Sequence, residues 1–325
     1  MRRLAFVLLA VGALVACSDE KDPARPPGTV VPGPDTPDAA INSTGTRRPG
    51  VIRVAAFNMR RYFDTVCDTG NCASTDFEEL PTKAAFDAMT EKLATGIATI
   101  DPDVLSIEEI ETSKCLDALV AKLASMGKEF PIAHIGEIGS PGSVDVAILA
   151  RGKLGEIKTH RQTKIPLEGG GTTVFTRELL EVRMTFGATS VVMFGAHFRS
   201  KVADDAPRRL AEAKAARIIV GQAATDLPES LVLLGGDLND TPGSPPINAL
   251  EADGALVRVA KDVPVESQAT LTFQGQKIAI DHIFIGKGQA SRYVPMSATA
   301  YRDDPTRTGF AGSDHSAIAA DFSIE

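Results

Sequence analysis

Several apolar, strand-like runs of the sequence end in, or are preceded by, a polar residue that can bind a metal ion or transfer a proton. The residues are Asn58, Glu109, His197, Asp237, Asn239, Asp281, Asp314 and His315. Functional groups often gather where strands meet loops on a rigid scaffold, so we expect these side chains to converge on one cleft. Carboxylate and amide oxygens suit a hard divalent ion that keeps some of its waters, which favours Mg²⁺ or Mn²⁺ as the cofactor.

This set of side chains has the chemistry that hydrolysis of a phosphate ester requires. The reaction needs a positioned water, a base, stabilisation of charge on the non-bridging oxygens and help for the leaving group. A divalent ion can supply Lewis acidity and lower the pKa of a bound water at the same time. The side chains are therefore compatible with metal-dependent phosphoester hydrolysis, a reaction that a resemblance to a known family implies.

Two blocks give the set a specific resemblance. Residues 234–239 read Leu-Gly-Gly-Asp-Leu-Asn and residues 312–315 read Gly-Ser-Asp-His. They are similar to the Gly-Asp-Phe/Leu-Asn and Ser-Asp-His motifs of the endonuclease/exonuclease/phosphatase superfamily, and matching blocks run in the family's order from Asn58 to His315. The resemblance implies the deoxyribonuclease I-like fold, an α+β four-layer α/β-sandwich with two mixed β-sheets packed face to face and flanked by helices.

The resemblance also implies where the metal and the attacking water would lie. Glu109 would be the principal metal ligand, with Asn58 beside it and a contribution from Asp314. Asp237 and Asn239 would orient or deprotonate the water and bind the scissile phosphate.

Two histidines and one further acid complete the site that the resemblance implies. Asp281 would hold His315 in the correct tautomer, and His315 with His197 would face the developing charge on phosphorus. The family block usually has Gln where this chain has Glu108, so an additional carboxylate stands next to Glu109. The number of metal ions therefore stays open.

Other polar residues are weaker candidates. Arg177 and Asp145 lie where related chains often have a polar residue near the cleft, and Arg199 follows His197, so all three are candidates for contact with substrate. A salt bridge or a turn explains each of them equally well. Residues expected beside the site or on the surface are Glu108, Glu111 and Asp240, and those expected on the solvent face of a helix are Arg208, Arg209, Lys214 and Arg217.

Strand-like and helical patterns alternate from Val51 onward. Apolar residues at three- and four-residue spacing predict helices over 86–100 and 116–123, and a longer helix is predicted over about 207–225. Strands are predicted at 51–58, 104–107, 144–150, 173–185, 190–195, 230–234, 278–285 and 317–322. Strands this numerous, some separated by helices and some by short turns, predict two mixed sheets under outer helices.

The N-terminal segment predicts export. Positive charge at Arg2 and Arg3 precedes a short apolar run, residues 4–16, that is too short to span a bilayer. The run ends in Leu-Val-Ala-Cys, which resembles a bacterial lipobox with Cys17 as the acylated residue; the alternative is a plain signal peptide followed by an incidental Cys. Residues 1–16 are thus a predicted signal peptide, 17–50 a lipidated Pro- and Gly-rich tether, and 51–325 the catalytic domain of an envelope lipoprotein that meets the membrane only through its lipid.

Three cysteines remain for the exported domain, an odd number that cannot all pair within one chain. Cys67 and Cys72 are spaced for a small disulfide loop, while pairing of either with Cys115 stays open. A metal site made from these three is not expected, because no His or fourth Cys lies at a suitable spacing.

Composition narrows the substrate only in part. The net charge is −8 and the chain has 5% aromatic residues without Trp, so neither a basic face nor a base-stacking platform is apparent. The preferred function is a monomeric, extracytoplasmic nuclease that hydrolyses phosphodiester bonds of DNA or RNA. A phosphatase or lipid phosphodiesterase on the same fold, acting on inositol phosphates or sphingomyelin, remains open, as does a non-catalytic envelope binding protein.

Overall fold

Two six-stranded sheets, each with parallel and antiparallel neighbours, form the centre of the computed structural model, which describes residues 49–202 and 204–325. Cys17, the predicted signal peptide and nearly all of the predicted tether lie outside the described residues. The two mixed sheets confirm the predicted fold class.

The secondary structure alternates between strands and helices along the chain. The α-helices are α1 (Lys83–Ile100), α2 (Ser113–Ser125), α3 (Ala206–Asp226) and α4 (Pro245–Glu251), and short 3-10 helices cover Ala252–Gly254, Val259–Asp262, Val265–Gln268 and Lys287–Arg292. The strands are β1 (Val51–Tyr62), β2 (Val104–Ile110), β3 (Ile132–Gly136), β4 (Asp145–Ala150), β5 (Lys153–Thr159), β6 (Ile165–Pro166), β7 (Thr172–Thr173), β8 (Leu179–Phe186), β9 (Thr189–His197), β10 (Leu231–Asp237), β11 (Leu256–Arg258), β12 (Leu271–Phe273), β13 (Gln276–Ile278), β14 (Asp281–Gly286), β15 (Thr299–Tyr301) and β16 (Ala317–Ser323).

The strand order places the first and last strands of the domain side by side. The first sheet runs β15-β16-β1-β2-β4-β3, and the second runs β11-β14-β10-β9-β8-β5. Two-stranded pairs β12-β13 and β6-β7 lie outside these sheets. Strands β1 and β2 are parallel and α1 connects them, whereas β1 and β16 are antiparallel.

Three apolar layers hold the sheets and helices together. Along β1, Val54 and Ala56 join the cluster between the two sheets, while Ala55 and Phe57 join the cluster beneath α1 and α2. A third cluster packs α3 and α4 against the second sheet. Because β1 is covered on both faces, it is almost continuously apolar, and helix–sheet–sheet–helix layering follows.

The helices begin and end where local chemistry favours it. Thr82 caps α1 by accepting a hydrogen bond from Ala85 N, and Asp101 ends the helix in the left-handed region. The buried face of α1 includes Leu93, Ile97 and Ile100, as the sequence spacing predicts. None of the helices in the described part of the chain has the length and apolar character that crossing a bilayer requires.

Two predicted strands are interrupted in the structure. The predicted strand 173–185 is broken, because Thr176 donates its backbone N–H to the Glu212 carboxylate and the ladder resumes only at β8. The predicted strand 278–285 divides into β13 and β14, since Ile280 N and Asp281 N both donate to the hydroxyl of Thr270. In both places, backbone N–H groups expected to bond within a sheet donate instead to side chains that are distant in sequence.

The disulfide question left open by the sequence has one answer in the structure. Cys67 and Cys72 form a disulfide, and Cys115 is a free, buried thiol. The disulfide closes a short loop within the segment that connects β1 to α1.

Candidate active site

Three neighbouring strands of the second sheet end in a row of polar residues. His197 pairs with Asp237 across the parallel strands β9 and β10, and Asp237 pairs with Asp281 across the antiparallel strands β10 and β14. All three are at most 3% exposed. The strand ends therefore converge as expected, and the row forms one wall of a cleft.

A bulge in the first sheet supplies the opposite wall. Asn58 pairs with Glu108 across β1 and β2, and the register shifts directly after this pair. Glu109 lies in the bulge with φ 61°, a conformation that non-glycine residues rarely adopt. Its Oε1 lies 4.0 Å from Nε2 of His197, so the bulge turns the Glu109 carboxylate towards the second sheet.

Asp237 is held by hydrogen bonds to both of its oxygens. Asn58 Nδ2 donates to Oδ2 over 3.0 Å, and Asn239 N donates to Oδ1 over 2.9 Å. Asn239 has φ 53°, and its side-chain amide donates to the carbonyl of Phe198. Burial, with the charge of Asp281, raises the pKa of Asp237 to about 7, so this carboxylate can take up a proton near neutral pH.

His315 is fixed by a carboxylate and a serine. Its Nδ1 lies 3.0 Å from Oδ2 of Asp281, and its backbone N–H donates to Ser313 Oγ, which itself donates to the carbonyl of Asn58. Burial would lower the pKa of His315, but the charge of Asp281 and the hydrogen bond to it, with Asp237, raise that pKa to about 10. The ring is therefore an imidazolium at neutral pH.

His197 has the opposite electrostatic character. Its Nε2 lies 3.5 Å from Oδ2 of Asp237, and its Nδ1 is buried without a hydrogen-bond partner in the described structure. Burial, followed by the positive charges of Arg177 and His315, holds the pKa of His197 well below its usual range. The site thus pairs one charged imidazole with one neutral imidazole.

Glu108, the residue that departs from the family pattern, lies beneath the cleft. Its side chain is completely buried, and it accepts a hydrogen bond of 2.5 Å from Ser106 Oγ. Burial raises its pKa well above the ordinary value, and the charges of Asp281 and Asp237 raise it further. Burial therefore favours the protonated form of Glu108.

Arg177 lies in the interruption between β7 and β8, and Asp145 is the first residue of β4. Arg177 Nε donates to the carbonyl of Val144, while its Nη1 is buried without a hydrogen-bond partner. Burial lowers the pKa of Arg177, while the negative charges of Glu109 and Asp237 act to raise it. Asp145 is 1% exposed with Oδ1 unpartnered, and burial raises its pKa to about 7.

A buried acid that the sequence did not single out accepts hydrogen bonds from the two loops that carry Arg177 and Arg199. Glu212 of α3 is completely buried, and its Oε1 accepts from both the backbone N–H and the hydroxyl of Thr176 at 2.6 and 2.5 Å. Its Oε2 accepts from Arg199 N at 2.7 Å. Glu212 thus connects the loop before Arg177 to the loop that follows His197.

One arginine expected on the solvent face of α3 is buried instead. Arg209 is 3% exposed and its Nε lies 3.0 Å from Oδ2 of Asp240, which also pairs with Lys201 at 2.8 Å. Asp240 itself is 6% exposed and adjoins Asn239. The expectation for Arg209 was wrong because the spacing of residues within a helix carries no information about a partner such as Asp240, which lies outside the helix.

The rim of the cleft is charged with both signs. Asp314 is exposed, and its Oδ2 lies 3.5 Å from Nε of Arg60. Arg60 N donates to Asn58 Oδ1, and Arg61 N donates to Glu109 Oε2. Both arginines have positive φ, and they bring two cationic side chains to the mouth of the cleft.

The acidic residues of the cleft fit a divalent cation. Within the described residues, one atom each of Asp237, Asp281 and His315 lies within 4.8 Å of the others, and because the His315 ring is protonated, the carboxylate oxygens of Asp237 and Asp281 are the ligands available in this group. Glu109 is partly exposed at the mouth, and its charge and that of Asp281 both raise the pKa of Asp237. A cation bound here would relieve this repulsion, and carboxylate oxygens are suitable ligands for Mg²⁺ or Mn²⁺.

Residues 53–306 match the sequence model of the "Endonuclease/Exonuclease/phosphatase family". No curated protein matches the chain.

Solved structures reproduce the fold at low sequence identity. A truncated TDP2 from Caenorhabditis elegans has 17% identity and a TM-score of 0.59, with 84% of this chain and 97% of that chain covered. An endonuclease/exonuclease/phosphatase from Bacteroides vulgatus has 16% identity and a TM-score of 0.59, with coverage of 85% and 99%. TDP2 from D. rerio, complexed with single strand DNA product, has 14% identity and a TM-score of 0.57, with coverage of 84% and 99%.

Proposed function

The chain belongs to the endonuclease/exonuclease/phosphatase family, whose members hydrolyse phosphoester bonds, and we propose that it is a divalent-metal-dependent phosphodiesterase that acts on nucleic acid. The observation that carries the proposal is the convergence of Glu109, Asp237, Asp281 and His315 on one cleft from four separate strand ends. Hydrolysis of a phosphodiester requires this combination of a base, a cation site and a protonated group.

The metal belongs at the mouth of the cleft. The family generally uses divalent metals, and we assign Mg²⁺, or Mn²⁺ in its place, to Glu109 with Asn58 beside it and Asp314 as a further oxygen ligand. When bound, the ion supplies Lewis acidity towards the phosphoryl oxygens.

Asp237 is the proposed general base. Its oxygens are fixed by Asn58 Nδ2 and Asn239 N, so the carboxylate has one orientation in which to accept a proton from the attacking water. A base is most effective when its pKa lies near the working pH, and that of Asp237 is raised to about 7. Asn239 keeps this geometry because its own amide is bound to the Phe198 carbonyl.

His315 and His197 have different proposed tasks. Asp281 keeps His315 protonated and sets which ring nitrogen faces the cleft, so His315 stabilises negative charge that develops on the phosphoryl group. His197 stays neutral next to Asp237, and its Nε2 orients the reacting groups without adding charge.

Nucleic acid is the preferred substrate because the cationic groups cluster at the cleft although the chain as a whole is acidic. Arg177 has an unpartnered buried Nη1 beside the acids, and Arg60, Arg61 and Arg199 lie at the rim or on the adjoining loop. A chain of phosphates needs several such contacts, whereas a phosphomonoester needs one. The D. rerio TDP2 of similar fold holds a single strand DNA product, which supports the same substrate class.

A lipid phosphodiesterase is the second candidate, and one feature of the rim favours it. Val66, Phe77 and Leu80 are exposed on the segment that connects β1 to α1, and the Arg61 guanidinium covers the Phe77 ring at 4.6 Å. Exposed apolar side chains beside a cleft suit a substrate with an apolar part.

Hydrolysis of bis-p-nitrophenyl phosphate, measured with and without a chelator, tests the enzyme class. Activity that disappears with the chelator and returns with Mg²⁺ supports the proposal, whereas an inactive protein would leave a non-catalytic envelope binding role. A panel of plasmid DNA, RNA, phosphorylated inositols and sphingomyelin then separates nuclease, phosphatase and lipid phosphodiesterase.

The cellular location is a proposal from the N-terminal sequence. The charged start, the short apolar run and the Leu-Val-Ala-Cys block support a lipoprotein anchored at Cys17, and we expect the enzyme to act as an exported monomer. Incorporation of a labelled fatty acid, compared with a Cys17→Ser variant, tests this anchor.

A further inference from the structure

We infer that Asp64, Glu111 and Cys115 form a second metal site, outside the catalytic cleft, that takes a thiophilic divalent ion of the zinc class. Each of the three residues offers one donor atom, and these atoms all lie within 4.8 Å of one another. Their exposures are 5%, 2% and 0%, so the group is screened from water. This inference does not depend on the proposed function.

One carboxylate oxygen of the group is buried without any partner. Oε2 of Glu111 accepts a hydrogen bond of 2.7 Å from Asp64 N, but its Oε1 makes none. Each oxygen of Asp64 accepts one hydrogen bond, Oδ1 from Val66 N and Oδ2 from Thr112 Oγ1 at 3.3 Å, and each keeps a further lone pair for a cation. An unpaired buried carboxylate oxygen is unfavourable, and a bound cation is one of the arrangements that satisfy it.

The surrounding charge points the same way. Lys114 Nζ lies 4.0 Å from Oδ2 of Asp64, but its side chain is 70% exposed. Glu78 is a further buried carboxylate, on the segment between β1 and α1, and its negative charge acts on Glu111. Buried carboxylates with one distant, exposed partner leave a local excess of negative charge that a divalent ion would balance.

The site is separated from the catalytic cleft by the strands themselves. Cys115 belongs to the apolar cluster between the first sheet and helices α1 and α2, whereas the catalytic residues lie at the ends of strands that face the other sheet. Glu111 follows the bulge that presents Glu109. A metal at Asp64 and Glu111 would therefore fasten the segment after β1 to β2 directly behind the catalytic glutamate.

The donor set selects the kind of ion. A thiolate with two carboxylates suits zinc better than magnesium, because hard cations prefer oxygen alone. Zn–S and Zn–O bonds of about 2.3 and 2.0 Å at tetrahedral angles place the donor atoms about 3.5 Å apart. Side-chain movements that shift each donor atom by roughly 1 Å would therefore bring the three donors to bonding distance of one ion. On binding, the Cys115 thiol releases its proton to solvent and water takes the fourth position.

Cobalt substitution tests the site without using activity. The full chain carrying Cys17→Ser, with the Cys67–Cys72 disulfide intact, has Cys115 as its one free thiol. With Co²⁺ it should show a sulfur-to-cobalt charge-transfer band, and it should retain one tightly held Zn²⁺ by mass spectrometric metal analysis. Cys115→Ala in this background should lose both signals, and Glu109→Gln should keep both.

Two further variants keep the test decisive if Cys115→Ala fails to fold. Glu111→Gln keeps the size of the side chain and should lose tight zinc binding and the rise in Tm that zinc gives the parent. Asp117→Asn removes an exposed carboxylate from the same helix as Cys115 and should behave as the parent. Absence of the charge-transfer band in the folded parent, or equal zinc content in the parent and Glu111→Gln, would overturn the inference.

Discussion

Replacing Glu212 by Gln should impair the enzyme more than it impairs the fold. The carboxylate accepts three hydrogen bonds, two from Thr176 and one from Arg199 N. In the Glu212→Gln variant one acceptor oxygen is replaced by an NH₂ group that opposes a backbone N–H. Hydrogen bonds to a charged group contribute about 1.5–3 kcal/mol each, so losing one of them weakens the loop connection by about the same amount.

The kinetic consequence follows from what these loops carry. Arg177 follows Thr176 directly, and Arg199 belongs to the loop after His197, so both proposed phosphate contacts would shift. If this 1.5–3 kcal/mol falls on the transition state, kcat/KM drops by about 13- to 160-fold. Burial raises the pKa of Glu212, so removing its charge also removes a desolvation penalty and Tm should change little.

The assay is steady-state hydrolysis of bis-p-nitrophenyl phosphate with Tm measured in parallel. Asp226→Asn is the matched control, because it removes an exposed carboxylate from the far end of the same helix. Kinetic constants for Glu212→Gln that equal those of Asp226→Asn would refute the positioning role. A large fall in Tm with normal kinetics in the folded fraction would show that Glu212 is only structural.

Three other outcomes are expected. Asp237→Asn and His315→Ala should each lower turnover by about 10³-fold or more while unfolding stays cooperative, and near-normal activity in either would contradict its assigned role. Because the folded-state pKa of His315 is raised to about 10, its protonation contributes to the free energy of unfolding fully below pH 6.5, and this contribution is lost as pH rises through about 10. The Asp281→Asn variant removes the charge that raises this pKa, so its free energy of unfolding should decline less over that range. Denaturant titrations of chelator-treated protein at several pH values measure the difference. The pKa of Asp145 is raised from 3.8 to about 7, so the folded chain binds the extra proton and loses stability as pH rises through that window. Asp145→Asn should therefore be more stable than the parent at pH 8 by about 2–4 kcal/mol in chemical denaturation, and a less stable variant would refute the argument.

The sequence was sufficient for the fold class and for most of the cleft because both depend on strand ends. A strand covered on both faces is apolar until it leaves the core, so Asn58 and Asp237 stand out where β1 and β10 reach the cleft. The order of the motif blocks then placed His315 in the same cleft, where its ring meets Asp281.

The features that the sequence did not predict depend on partners far away in the chain. Glu212 and Arg209 are charged residues within a helix, and periodicity alone assigns such residues to solvent. Both are buried because each meets polar partners from another segment, Thr176 for the first and Asp240 for the second. The positive φ of Glu109 likewise follows from the register shift between two strands, which no local pattern encodes.

The pairing of β1 with β16 has a consequence for how the protein acquires its reactivity during synthesis. Val54 lies opposite Ala320, and Ser313 is bonded to the Asn58 carbonyl, so the first and last strands of the domain jointly complete the cleft. A ribosome must release nearly the whole polypeptide before His315 can meet Asp281. A nascent chain, or one ended by a premature stop codon before β16, should therefore lack the assembled cleft.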